Sequence, residues 1–138
     1  MNNKVWNQFL IRFFLAFAFW EAFSFPVKIL LFSKFYYNIE LTGLFVQMRD
    51  VYWVVPIVAD FIQIFAIGVL YNLARKSLPE NISGGVVFGL LISILFMSIP
   101  LFMISFTNSM TNLIWWTWAI YQFIESLTVS VIFSSSDN

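Results

Sequence analysis

The chain has 138 residues, of which 61% are hydrophobic and only 10% are charged, and its mean hydropathy is +0.86. A soluble domain carries about 25% charged residues, so we expect most of this surface to face lipid. The seven basic residues balance the seven acidic ones, which argues against a nucleic-acid-binding surface.

Four apolar segments approach or exceed the roughly 20 residues that an α-helix needs to cross a bilayer. A bilayer admits only segments that satisfy their own backbone hydrogen bonds, so we expect all four to be helices. Between the first two, residues 34–49 place apolar side chains on one helix face, which predicts a short interfacial helix. The sequence therefore predicts an all-α membrane protein, a single domain over 1–138, with four transmembrane helices in an antiparallel bundle, at about 8–33, 52–73, 85–106 and 113–133.

Basic residues near the span ends predict the orientation, because cytoplasmic loops are enriched in lysine and arginine. Lys34 and Arg49 would lie on one side of the membrane. Four basic residues would lie on the other side, which indicates that this side is cytoplasmic: Lys4, Arg12, Arg75 and Lys76. We therefore predict a multi-pass protein of a bacterial-type cytoplasmic membrane, with both termini in the cytoplasm.

Three acids, Glu21, Asp60 and Glu125, each interrupt an apolar span. Such a group usually faces the protein interior, finds a partner or titrates, because an ion in hydrocarbon is costly. Lys28 lies near Asp60 in depth, which predicts a structural ion pair between them. Glu21 and Glu125 share a level roughly 12 Å from the cytoplasmic edge, where both cannot comfortably be ionised. We predict that these two glutamates bind a proton or a cation, although each acid could instead simply lock helix packing.

Aromatic and polar side chains surround the two glutamates in sequence. Trp20, Trp118 and Tyr121 are candidate walls of a ligand site. Gln122 is a further candidate ligand residue and begins a polar stripe on the fourth span that continues through Ser126, Ser130 and Ser134. This stripe would either line a wet path or allow another helix to approach closely, and we favour close packing.

A ridge of small residues on the third span, Gly85, Gly89 and Ser93, predicts close helix packing. The ridge could pack within the chain or form the seam of a homodimer, and we favour internal packing. Beyond the lipid bilayer, a second copy of the chain and a larger membrane partner both remain open.

The segment 18–28 reads Ala18-Phe-Trp-Glu21 and reaches Lys28 seven residues later. A glutamate followed by a lysine in the first of four short spans is similar to the small multidrug resistance transporters. The resemblance covers only this segment, since the other signatures of that family are not found in the later spans and the first connection is longer here. It supports a carrier by analogy.

Three functions remain open from the sequence. The first is a proton- or cation-linked carrier or small-ligand-binding protein that uses buried carboxylates. The second is a non-catalytic structural or accessory subunit of a larger membrane complex. The third is a lipid-modifying enzyme with paired acids, which we disfavour because the chain has no cysteine or histidine. We predict no metal and no other cofactor.

Overall fold

The computed structural model describes residues 3–36, 52, 54–107 and 109–135, and these form helices and short connections without a β-strand. The prediction of an all-helical chain is confirmed. Of the predicted interfacial helix, residues 34–36 belong to the first helix and 37–49 lie outside the described residues. The long helices are α1 (Asn3–Tyr36), α2 (Val54–Ala74), α3 (Asn81–Ile104) and α4 (Ser109–Ser135).

Local sequence explains how α2 begins and how the chain passes from α2 into α3. Pro56 lies in the first turn of α2, where its missing N–H has no helical partner to lose. After α2, a 3-10 turn over Arg75–Ser77 and an extended Leu78 redirect the chain. Asn81 then opens α3 in the left-handed conformation, with φ of 61°, which asparagine tolerates better than most residues.

Three helices among the described residues are long and apolar enough to cross a membrane. Their windows, Val5–Leu30, Val54–Ser77 and Asn81–Ile104, have mean hydropathies of 1.5, 2.1 and 2.6. The predicted fourth span forms α4, which has the length but is not one of the three. Its interior face explains why, because it carries buried polar side chains: Thr117, Gln122, Glu125, Ser126, Ser130 and Ser134.

α4 packs against all three other helices, and most closely against α3. Gly85 lies against Ser134, and a Cβ atom at Gly89 would stand only 2.9 Å from Leu127 Cα. The Ser93 hydroxyl donates to the Phe123 carbonyl at 3.3 Å. We call this contact the small-residue seam. It places the predicted ridge of α3 inside the chain, against α4.

An aromatic core holds α1, α2 and α4 together towards the N-terminal end of α1. The Phe13 and Phe61 rings meet edge to face with centroids 4.8 Å apart, and the Phe9 and Phe65 rings do so at 5.5 Å. Phe133 of α4 is fully buried beside Phe9, with centroids 6.0 Å apart. Further along α1, the Phe17 ring meets the Phe61 ring. These ring contacts fix the register of α1 against α2, and that register brings the polar residues of the three helices together.

Candidate functional site

Polar side chains from three helices meet inside the bundle, further along α1 than the aromatic core. We call this group the interior polar cluster. It comprises Glu21 and Lys28 of α1, Asp60 and Gln63 of α2, and Tyr121, Gln122 and Glu125 of α4.

Lys28 and Asp60, expected from the sequence to pair, are joined by a hydrogen-bonded ion pair. The Lys28 ammonium donates to Asp60 Oδ2, and the two side chains are only 18% and 9% exposed. Lys28 Nζ also lies 5.6 Å from the centroid of the Tyr121 ring, within the range of a cation–π interaction. The single ammonium is therefore held by both α2 and α4.

Tyr121 is the hydrogen-bonding centre of the cluster. The Trp20 indole donates to the Tyr121 hydroxyl at 3.2 Å, and that hydroxyl donates in turn to Asp60 Oδ2 at 3.2 Å. Trp20 is fully buried and its ring centroid is 5.3 Å from that of Tyr121. Because these residues come from α1, α4 and α2, the chain of donors ties three helices together.

Glu125 is the most deeply buried acid of the described residues, with a relative exposure of 0%. Gln63 Nε2 donates to Glu125 Oε2 at 3.0 Å and to Gln122 Oε1 at 2.6 Å. Among the described residues, the other carboxyl oxygen, Oε1, is buried and has no hydrogen-bond partner. A buried carboxylate oxygen that accepts no hydrogen bond costs free energy. This oxygen can therefore take up a proton or accept a hydrogen bond from a ligand.

Glu21 lies at the edge of the same cluster and is half-buried. It interacts electrostatically with Lys28 and Asp60, and Glu125 interacts with all three of these charged residues. The Oε1 atom of Glu21 is buried and without a hydrogen-bond partner in the described part of the chain. The three membrane acids therefore form one group around Lys28.

Trp118, a predicted wall of the site, lies mainly on the outside. Its side chain is 44% exposed, and its ring centroid is 6.2 Å from that of Tyr121. Trp20, Tyr121 and Gln122 instead lie inside, where each joins the network.

The polar stripe of α4 packs tightly. Ser126 and Ser130 are fully buried, and a Cβ at Gly89 would lie 3.2 Å from Ser130 Cβ. The Ser134 hydroxyl donates to its own helix, to the Val131 carbonyl at 2.8 Å. These contacts favour close helix approach over a wet path along this face.

Gln63, a member of the interior polar cluster, and Ser24, a buried polar residue of α1, were not predicted from the sequence. Gln63 follows Asp60 by one helical turn, and Ser24, fully buried, follows Glu21 by one turn. Neither carries a charge, so neither interrupts an apolar span strongly enough to be noticed. The available signal was their position on the same helix face as an acid. Over the ranges that the structure describes, no three acidic side chains converge as metal ligands.

The three apolar helices and the acids buried among them define the class: an integral membrane protein built as a helical bundle with a polar interior cluster. Comparison with known proteins adds no narrower identity, because no family model, curated protein or solved structure matches the chain.

Replacing Tyr121 with phenylalanine should lower the free energy of unfolding by about 2 kcal/mol. The change leaves Asp60 and the buried Trp20 indole each without one hydrogen-bond partner, and a buried unpaired group costs about 1–3 kcal/mol. Denaturant unfolding in detergent micelles measures this loss. Tyr52→Phe is the control, since Tyr52 is 71% exposed. Equal stability of Tyr121→Phe and wild type would show that the hydroxyl holds nothing together.

Proposed function

We propose that the protein is a proton- or cation-linked carrier, or a small-ligand-binding protein of the membrane, in which Glu125 and Glu21 are the binding carboxylates. The observation that carries this proposal is the state of Glu125. Its side chain is fully buried, and one carboxyl oxygen has no hydrogen-bond partner among the described residues.

Electrostatics supports the proposal. Three acids share Lys28, and the ammonium is already bonded to Asp60. In a low-dielectric interior, carboxylates that interact with one another favour the uptake of a compensating proton or cation. The cluster therefore gains stability when it takes up a proton or a cationic ligand, and binding one displaces the other.

Aromatic surfaces favour an organic cation as the ligand. Tyr121, which bonds to Asp60, lies within cation–π range of the Lys28 ammonium, and its ring meets the Trp20 ring at a centroid distance of 5.3 Å. A quaternary ammonium ion would combine the charge that the acids require with apolar groups that suit these rings.

The membrane arrangement belongs to the same proposal. We place all four helices across a bacterial-type cytoplasmic membrane as an antiparallel bundle, with both termini in the cytoplasm and an interfacial helix between α1 and α2. α4 crosses in this arrangement because its polar face is covered by α1, α2 and α3. The bases near one end of the bundle support the orientation.

Proton exchange in proteoliposomes tests the function. With a pH-sensitive dye inside, a gradient of tetramethylammonium should drive proton movement through the wild-type protein. We expect Glu125→Gln to abolish it and Glu21→Gln to reduce it at least tenfold, because each removes a carboxyl that exchanges the proton for the cation.

Glu80→Gln is the matched control, since Glu80 is an exposed glutamate in the connection before α3. It should retain wild-type proton movement. Unchanged proton movement in both Glu125→Gln and Glu21→Gln would contradict the carrier proposal.

A second candidate is an accessory subunit of a larger membrane complex. The donor chain from Trp20 through Tyr121 to Asp60 joins three helices, as a purely structural network would. On the outer face of α4, Trp116 and Trp118 are 49% and 44% exposed and could pack against a partner helix. Purification in a mild detergent decides between the candidates, because a subunit should retain a stoichiometric larger partner.

A further inference from the structure

An open cleft lies at the other end of the bundle from Lys28, where α1 begins, α2 ends and α3 begins. Its volume is about 830 Å³, and the chain segments around it are the first turns of α1, the last turn of α2 and the connection to α3. Ligand sites in proteins commonly have volumes of about 300–1,000 Å³. The cleft is separate from the interior polar cluster, none of whose members lines it.

The lining of the cleft changes from apolar to charged. Trp6, Phe9 and Leu73 form apolar walls, and Leu73 is 76% exposed. Arg75 and Lys76 lie at the polar end together with Glu80. Two bases against one acid give this end an excess of positive charge.

The position of the cleft identifies the environment that it meets. The three membrane-crossing windows begin or end at Val5, Ser77 and Asn81, beside the cleft. It therefore opens at the boundary between hydrocarbon and water, where tryptophan and basic side chains are enriched. Its apolar walls face the acyl region and its basic end faces the headgroups.

We infer that this cleft binds an anionic phospholipid. The lipid phosphate lies near Arg75 and Lys76, and an acyl chain follows the exposed wall formed by Trp6 and Leu73. Basic pockets between transmembrane helices recognise anionic headgroups in this way. A free phosphate ion would satisfy the bases alone, whereas a phospholipid also covers the exposed apolar wall. The inference does not depend on the proposed carrier function.

Binding of short-chain lipids to the full-length protein in detergent tests the inference. Dioctanoyl phosphatidylglycerol should bind more tightly than dioctanoyl phosphatidylcholine. Each basic residue that contacts the headgroup should raise the ratio of the two affinities about fivefold. Arg75→Gln/Lys76→Gln should reduce this preference to near unity. The charge-retaining Arg75→Lys/Lys76→Arg should keep most of it, and Glu80→Gln should increase it.

Native mass spectrometry or a thermal-shift titration measures these ratios. Equal binding of the two lipids by the wild type would overturn the inference, as would an unchanged preference in Arg75→Gln/Lys76→Gln. If inorganic phosphate at the same concentration raises the melting temperature as much as the lipid does, the site binds a free anion and the lipid inference is wrong. If Arg75→Gln/Lys76→Gln does not fold, Glu80→Gln is the deciding variant. An unchanged ratio of the two lipid affinities in Glu80→Gln would contradict a headgroup at this end of the cleft.

Discussion

Replacing Lys28 with methionine should lower the free energy of unfolding by about 3 kcal/mol or more, the cost of removing one partner from a buried ion pair. Methionine keeps most of the volume and the apolar stem, so the loss reports the charge. Without the ammonium, Asp60, Glu21 and Glu125 lose the cation with which all three interact. Unfolding of the purified protein in mixed micelles, followed by circular dichroism, measures the effect.

The double variant Lys28→Met/Asp60→Asn should recover much of this loss, because it removes the uncompensated charge and leaves an amide oxygen to accept from the Tyr121 hydroxyl. Lys76→Met, measured in micelles without anionic phospholipid, is the control for the substitution itself, since Lys76 is exposed. If Lys28→Met unfolds at the same denaturant concentration as the wild type, the ion pair adds no net stability to the folded protein.

Gly89→Leu should disrupt the small-residue seam and lower the free energy of unfolding by about 3 kcal/mol, at the upper end of the usual cost of overpacking. The first added atom would already stand 2.9 Å from Leu127 Cα and 3.2 Å from Ser130 Cβ. A backbone atom cannot move aside as the end of a flexible side chain can. Helices α3 and α4 would have to separate, and Glu125 on α4 would shift with them.

Ser98→Leu is the matched control on the same helix. Ser98 is exposed and its hydroxyl donates to the Leu95 carbonyl of its own helix, at 2.6 Å. A leucine there should be neutral or stabilising in detergent. Should Gly89→Leu prove as stable as Ser98→Leu, the close approach of α3 and α4 at this point would be refuted.

The helices were predictable because each membrane segment must satisfy its own backbone, and hydropathy reports that requirement directly. Their ends were less so: α1 runs over Asn3–Tyr36, three to five residues beyond the predicted 8–33 at each end. Polar residues at a helix end lower the local hydropathy without ending the helix. α4 has the length of a membrane span, but the polar residues along its buried face lower its hydropathy, so it is not one of the three described helices that are apolar enough to cross a membrane.

The inward position of the membrane acids was predictable from the sequence, and the contacts that connect them were not. Depth along the helices placed Asp60 about 6 Å from the level of Glu21 and Glu125, which suggested two separate pairs. The structure joins them, because the long Tyr121 side chain reaches Asp60 from the turn that precedes Glu125. Rise per residue measures backbone positions and ignores the reach of side chains. Gln63, the donor to Glu125, was missed because an amide carries no charge.

The packing of α4 has a consequence for biogenesis. A newly made α4 that met lipid alone would expose Glu125 and its serines to hydrocarbon, which is unfavourable. The glycine surface of α3 covers part of this face, so we expect α3 and α4 to leave the insertion machinery together as a helical hairpin. Insertion of α4 would then complete the cluster that α1 and α2 begin, because Tyr121, Gln122 and Glu125 all belong to α4.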